Sequence, residues 1–311
     1  MDELRREGLV SVIIPTIGRQ PRLPPLIDAL VSGTRRPIEV IVSHSGHPQL
    51  TLDRSDVLVL HHASRLLASA ARNCGADRAS GDYLFFLDDD NELAAGAVDV
   101  LARVLDDDAA VTEVGPAMFY AGDRGRVYSL GVTHGRFWNN TTWHAVPPRG
   151  GSRLVASDAL PNAFMVRRRQ FTGVGGFDEV AFPMDFEESD LAFRLRRRYG
   201  GRVVCSLDAT VWHDAPLAMR SRLAPKSRAR CFYSARNRPI FIARHCGWLP
   251  WIAYLAVGQW VAFGSKLVGI HQPEARRVGS RRVLTVVYAR GMVAGAFRSV
   301  LELHRDPGVR P

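Results

Sequence analysis

Apolar, β-branched runs alternate with helical stretches through the first third of the chain. Residues 9–14 (Leu-Val-Ser-Val-Ile-Ile) predict a buried strand broken by Pro15 and Gly18, and 23–32 predict a helix. Residues 38–42 (Ile-Glu-Val-Ile-Val) predict a second strand, closed by the turn-like Ser43-His44-Ser45-Gly46-His47-Pro48, and 57–60 a third. The Ala-rich stretch 65–79 reads as a helix ended by Ser80-Gly81. The apolar segment 83–87 (Tyr-Leu-Phe-Phe-Leu) reads as a buried strand running into Asp88-Asp89-Asp90, with a helix over 93–105. Strands and helices alternating at this spacing predict βαβ units and a mostly parallel sheet.

The pattern then loosens. Residues 111–120 predict a strand, and 121–157 a long loop region with hairpin character. Residues 186–199 predict a helix stopped by Gly200-Gly201. Two short extended segments follow, 202–207 and 209–213. The last third changes character: 227–245 is Arg-rich and helical, 248–264 is strongly apolar with Trp248, Trp251, Tyr254 and Trp260, and 283–303 is a further apolar helix. The division expected is an α/β unit over 1–215 and a basic, apolar helical region over 216–311.

Charge sharpens that division. The chain of 311 residues carries a net charge of +10, but 17 Lys+Arg stand against 3 Asp+Glu after residue 215. The first 215 residues are slightly acidic. The basic tail should seek an anionic surface. Its arginines are interleaved with Trp and long apolar runs rather than the polar residues of a groove binder, so a membrane is expected and nucleic acid is not. The four cysteines show no CxxC spacing and no paired framework, which suits a reducing compartment. The first eight residues lack an apolar run, so no secretory leader is expected. The expected location is the cytoplasm, peripheral at the inner face of the membrane.

Three groups of residues can carry chemistry. Asp88, Asp89 and Asp90 follow a buried strand, the place where open α/β sheets bind ligands. One Asp there would serve a helix start. Three in a row repel one another unless a cation compensates, and Mg²⁺ or Mn²⁺ takes one or two carboxylates together with substrate phosphates. The second group is Glu187, Glu188 and Asp190 at a helix start, with Arg194 four residues beyond Asp190. These acids suit the helix dipole, and one of them held beside other charges is a candidate general base. Glu187 and Glu188 point in different directions on a helix, so one at most should face a substrate. The third is His213. A lone His at a strand end is ordinarily a packing residue, and it matters chemically only if the fold brings it to the Asp triplet. The glycines of Gly173-Val174-Gly175-Gly176 lack a strand–GxGxxG–helix context and read as a turn.

The ordered set of motifs resembles a known family. Val-Ser-Val-Ile-Ile-Pro-Thr at 10–16, Ala-Ala-Arg-Asn at 70–73, Ala-Ser-Gly-Asp-Tyr-Leu-Phe-Phe-Leu-Asp-Asp-Asp at 79–90, Gly-Gly-Phe-Asp-Glu at 175–179, Glu-Glu-Ser-Asp-Leu-Ala-Phe-Arg at 187–194 and Trp-His at 212–213 together resemble family 2 glycosyltransferases, in particular rhamnosyl- and galactofuranosyl-transferase-like members. The resemblance spans about residues 9–245. It implies a GT-A fold: an α/β, Rossmann-like, mostly parallel mixed sheet flanked by helices, here with a C-terminal helical extension. It also implies inverting transfer of a sugar from a nucleotide-sugar donor, UDP- or dTDP-linked, to a glycan or polyprenyl-linked acceptor. Asp88 and Asp90 match the ends of the metal- and nucleotide-gripping DxD motif, and His213 the histidine that completes a Mn²⁺ or Mg²⁺ site. Glu187 and Glu188 match a Glu-Asp pair whose second carboxylate is the base. Pro15, Thr16, Arg19, Arg72, Asn73 and Asp89 fall in the donor region, and Ser43 stands where the family carries an Asp. Trp138, Trp143 and His144 are candidates for the acceptor platform or for ordinary loop packing. A nucleotidyltransferase of related fold is the competing enzyme class, and a second copy of the chain is a candidate partner.

Overall fold

The computed structural model describes all residues except 1–7, 19–20, 35–37, 47, 53, 136–140, 144–152, 218–226 and 304–311, and only the backbone of 141–143. Ten strands form one sheet among the described residues. Its parallel half runs in the order β3 (Val57–His62), β2 (Ile38–Ser45), β1 (Val10–Thr16), β4 (Tyr83–Leu87). The sheet continues through β11 (Ala163–Arg167), antiparallel to both β4 and β6 (Val111–Tyr120). Beyond β6 lie β12 (Arg202–His213), parallel to it, and β10 (Leu154–Ser157), antiparallel to β12. Short β5 (Asn91–Leu93) pairs with the end of β12, and β7 (Asp123–Ser129) with β6. β8 (Val132–His134) and β9 (Thr141–Trp143) make a separate ribbon.

Side-chain alternation splits the core into two faces. Val10, Val12 and Ile14 of β1 and Tyr83, Phe85 and Leu87 of β4 meet α1 (Leu23–Gly33) and α3 (Ala97–Asp107) on one face. Ile13, Leu84 and Phe86 point to the other, which α2 (Ala68–Ala76) and α5 (Glu187–Tyr199) cover along with the short α4 (Arg168–Gly173). Each helix carries a matching apolar stripe: Leu23, Leu26, Ile27 and Leu30 in α1, and Val98, Leu101, Ala102 and Leu105 in α3. Close packing of α2 on β1 requires a glycine, because a Cβ at Gly75 would stand 2.5 Å from Ile13 Cγ2. The helix expected at 93–105 starts later, because residues 91–93 are drawn into the sheet as β5. The two extended segments after Gly201 are one strand with a register shift between Ser206 and Thr210, a bulge that lets the strand reach β6 in both halves.

The last third folds back on this core. α6 (Arg228–Cys246) packs Ile240 and Phe241 against Ala181 and Phe182. α9 (Arg281–Val300) crosses α6 at close range. Gly291 and Gly295 make this possible, since a Cβ at either would lie 2.3 Å from the carbonyl oxygens of Phe232 and Arg236, respectively. The apolar run at 248–264 is α7 (Trp248–Ala253), a π-turn at Tyr254–Gly258, and α8 (Gln259–Ile270). Trp251 turns inward and donates to Ser299 Oγ (2.8 Å). Trp248 and Trp260 are exposed, along with Leu249, Ile252, Val257 and Val261.

Candidate active site

The carboxyl ends of β1, β2, β4 and β12 bring the marked residues to one edge of the sheet. Thr16, at the end of β1, donates its hydroxyl to Asp89 Oδ2 and accepts from the backbone of Gly18 (2.9 Å). Pro15 precedes it on the strand. Arg19 lies outside the described residues. Burial, opposed by the Thr16 hydrogen bond and reinforced by Asp88 and Asp90, pushes the Asp89 carboxyl up to about 6. Asp90 Oδ1 lies 3.1 Å from His213 Nδ1. That imidazole nitrogen is buried and makes no hydrogen bond. The fold therefore does carry His213 to the Asp triplet. It does so through β5, since Asn91 pairs with His213 and Asp214 N donates to Asp90 O (3.0 Å).

Arg72, from α2, is the hub of the site. Its Nη2 donates to Asp88 Oδ1 (2.8 Å) and Glu188 Oε1 (2.9 Å), and its Nη1 to Glu187 Oε1 (3.0 Å). Burial opposes its charge, but Asp88, Glu188 and Glu187 overcome that and hold its pKa above that of a free guanidinium. Both glutamates thus reach one guanidinium, contrary to the expectation that they diverge. They differ in access: the Glu187 side chain is 7% exposed and that of Glu188 18%. Burial raises the pKa of both carboxyls, and Arg72 works against the rise.

Backbone conformation completes the arrangement. The described non-glycine residues with left-handed φ are Asn162 (64°), Asp185 (62°) and Phe186 (71°), and all three border the glutamates. Such geometry persists only where its surroundings enforce it. Asn162 N donates to Glu188 Oε1 (3.0 Å) while Asn162 O accepts from Asp88 N (3.0 Å). The Asp185–Phe186 turn is held by α6, whose Asn237 Nδ2 donates to the carbonyls of Met184 and Asp185, both at 2.8 Å. Sequence reasoning missed Asn162 and Asn237. Pro161-Asn162 is a turn signal, but nothing in the sequence places Asn237 near the site.

The other expected residues fall elsewhere. Asn73 uses its amide on Phe177 and Glu179, accepting from Phe177 N (3.0 Å) and donating to Phe177 O (2.9 Å) and Glu179 Oε1 (2.6 Å). Asp190 is fully buried. It pairs with Arg194 (2.7 Å) as the spacing predicts, and also with Arg244 (3.0 Å) and His245 (2.8 Å). Burial would raise its carboxyl, but these partners hold it far below the usual range. Ser43 is buried with its Oγ 3.3 Å from His62 Nε2, and His44 Nδ1 lies 3.4 Å from His61 Nδ1. The ends of β2 and β3 thus carry Ser and His side chains rather than carboxylates. Of the acceptor candidates, Trp138 and His144 lie outside the described residues, and only the backbone of Trp143 is described, in β9.

The site is a strand-end acid cluster facing a buried Arg–Glu hub on a mixed α/β sheet. Residues 11–166, just over half of the chain, match glycosyl transferase family 2. The chain belongs to that family. It is similar to GalNAc(5)-diNAcBac-PP-undecaprenol beta-1,3-glucosyltransferase of Campylobacter jejuni, with 32% identity over 103 residues, covering 30% of this chain and 33% of the relative. It is 26% identical to the O-antigen biosynthesis protein RfbC of Myxococcus xanthus over 246 residues, 73% of this chain and 19% of the relative. It is 30% identical to a PGL/p-HBAD biosynthesis glycosyltransferase of Mycobacterium bovis, covering 37% of this chain and 46% of the relative. The matches therefore span less than half of each of these relatives. Two solved structures share the GT-A fold. One is GalNAc-T7 with UDP, GalNAc and Mn²⁺ (TM-score 0.58, 17% identity, 79% of this chain and 54% of that one). The other is the mannosyltransferase PcManGT of Pyrobaculum calidifontis with GDP-Man and Mn²⁺ (0.52, 16%, 94% and 86%).

Proposed function

We propose that the protein transfers a glycosyl group from a nucleotide-sugar donor to an acceptor hydroxyl by a single displacement with inversion. The observation that carries this reading is the shared guanidinium of Arg72, which ties strand-end Asp88 to Glu188 at 2.8 and 2.9 Å. Donor grip and proton acceptor are thereby held in fixed relation. Glu188 accepts the proton of the attacking hydroxyl. Arg72 and the Asn162 N–H keep its carboxylate oriented, and Glu187 supports Arg72 from the other side. Pro15, Thr16, Arg72 and Asp89, at the ends of β1 and β4 and on α2, frame the donor, a UDP- or dTDP-linked sugar. The segment around Trp138, Trp143 and His144 receives the acceptor.

Asp90 and His213, with Asp88 beside them, are the residues that would hold a divalent cation. The convergence of a carboxylate oxygen and a buried imidazole nitrogen without a hydrogen bond at 3.1 Å fits such an ion. Mn²⁺ or Mg²⁺, when bound, supplies charge neutralisation for the diphosphate leaving group. Among the described residues no three His, Cys, Asp or Glu gather closely enough to hold a metal by themselves, and substrate phosphates commonly complete such spheres.

The acceptor we propose is a lipid-linked or cell-envelope glycan, met at the cytoplasmic face of the membrane. Relatives named for undecaprenol-linked and O-antigen glycans support this, as do the exposed apolar side chains of α7, α8 and α9. Residues 1–215 supply the catalytic side chains, while 216–311 brace the site through Asn237 and Arg244 of α6 and present the membrane-facing surface. A panel of nucleotides and nucleotide-sugars tests the reading by thermal shift, because a ligand that binds only the folded state raises the melting temperature. Stabilisation by one of them should require Mn²⁺ or Mg²⁺, vanish in EDTA and be lost in Asp90→Ala. Turnover that survives EDTA intact would remove the metal, and no stabilisation by any member of the panel would remove the donor.

A further inference from the structure

We infer that a cavity along α5, outside the donor site, is a subsite for an anionic sugar residue of the acceptor. This deepens the glycosyl-transfer reading and rests on it. The cavity encloses about 640 Å³ between α5, the loop segments around His134 and Asp158, and the end of α6. None of the residues assigned to the donor or the cation lines it. At one end His134 Nε2 stands 2.8 Å from Ser189 Oγ, the residue next to Glu188. At the other end are Gly200 and Gly201. Eleven residues of helix rise roughly 16 Å, so a saccharide lying in the cavity would extend along α5 away from the base.

Its lining asks for three things at once. His245 is 1% exposed, and its Nε2 stands 2.8 Å from Asp190 Oδ1. That carboxylate fixes the proton on Nε2 and leaves Nδ1 as a lone pair. The Nδ1 is buried without a partner, so it needs a hydroxyl or amide donor. Phe193, with the Arg196 guanidinium over its ring at 5.5 Å, supplies the apolar part of the lining, which suits the C–H surface of a pyranose. Arg196 neutralises Asp158 (2.7 Å), whereas exposed Arg197 has no ion pair or hydrogen bond among the described residues, leaving one guanidinium surplus on the rim. A hydroxyl, an apolar ring face and one negative charge are together the chemistry of a uronic acid or a sugar phosphate. A guanidinium pairs with either anion.

Titration of the full-length protein with D-glucuronate, inorganic phosphate and D-glucose, followed by calorimetry, tests the assignment. At least one anion should bind saturably, with glucose at least tenfold weaker. Preference for glucuronate assigns a carboxylate, and preference for phosphate assigns a phosphoryl group. Arg197→Gln alters an exposed side chain and should weaken anion binding at least tenfold. His245→Gln, which retains an N–H toward Asp190 but removes the Nδ1 lone pair, should weaken glucuronate binding as well. Nucleotide binding in the presence of Mn²⁺ should be unchanged in both variants, so failure of the donor reading registers separately. Absence of saturable binding for both anions, equal binding of glucose, or undiminished anion binding in Arg197→Gln would overturn the subsite.

Discussion

The ionisation of Glu188 is opposed by burial and favoured by Arg72, and a base must be ionised to act. Because burial raises its pKa, the acid limb of kcat/KM should fall at a pH clearly above the ordinary glutamate range near 4.5, with activity rising as pH rises. Glu188→Gln retains the shape and the acceptor for Arg72 but not the basicity. It should lower kcat by about 10²–10⁴-fold with donor binding intact, and near-wild-type turnover would move the role elsewhere. A second buried acid, Glu113 on β6, offers a cleaner pH test. Its carboxyl is fully buried, and burial, reinforced by Glu188 and only partly opposed by the Leu160 backbone and Arg196, holds its pKa well above the ordinary value. Below the unfolded pKa, both states are protonated and Glu113→Gln should change little. Above it the unfolded chain ionises while the folded one does not, so the wild type loses about 1.4 kcal/mol per pH unit from this group until the folded pKa is reached. The advantage of Glu113→Gln in urea unfolding should therefore grow as pH rises above the ordinary glutamate range, and a constant difference would refute the assignment. At this scale, legibility followed chemistry. Asp88, Asp90, Glu188 and His213 could be singled out because a charged or ligating side chain at an element end marks itself. Asn162 meets Glu188 and Asp88 through its backbone, and the Asn73 amide serves the chain around Phe177, so the residue type alone assigns neither role.

The parallel half of the sheet was legible at the level of elements, because β1, β2 and β4 are dense apolar runs bounded by turn residues. β11 and β10 were not, since a strand of four or five residues inside an irregular stretch has no periodicity to detect. Nor did composition reveal that α6 belongs to the active-site architecture. Its arginines suggested a surface-seeking tail, yet Arg244 is buried, pairing with Asp178 (2.9 Å), Asp190 (3.0 Å) and Glu302 (2.7 Å). Burial opposes the Arg244 charge, and the three carboxylates more than restore it. This cluster joins α5, α6 and the end of α9. Arg244→Met should cost about 3–5 kcal/mol, because it leaves buried carboxylates short of their counter-charge. Adding Glu302→Gln removes one of those charges and should recover part of the loss, a coupling that a double-mutant cycle in urea unfolding would measure. Strict additivity of the two substitutions would show that the cluster does not act as a unit.

At the scale of the whole molecule, the question is how the apolar face of the last third meets its surroundings. α9 is long and apolar enough to cross a bilayer by length and composition, with 28% of its apolar window buried. Its attachment argues against crossing. Gly291 and Gly295 hold it tightly against α6, and α6 is fixed to the site by Asn237 and Arg244. A spanning α9 would carry Arg230, Arg236, Arg238 and Arg244 toward hydrocarbon, at several kcal/mol per charge. Lying in the interface avoids that cost. Trp248, Trp260 and Phe297, the last 76% exposed, would then enter the acyl boundary, while Arg276, Arg277, Arg281 and Arg282 meet anionic headgroups at about 1 kcal/mol each. The full-length protein should float with vesicles containing anionic lipid, release partly in high salt, and be fully extracted at alkaline pH, as an integral protein would not be. Truncation is a poor control, because it removes the Glu302 partner of Arg244. Trp248→Ser, Trp260→Ser and Phe297→Ser touch only exposed positions and are the better variants. Each should lower partitioning roughly tenfold or more, given about 1.5–3 kcal/mol for burying a large apolar side chain, with the urea midpoint unchanged. Full-length protein that stays in the supernatant with anionic vesicles at low salt would end the membrane reading, and with it the argument for a lipid-linked acceptor.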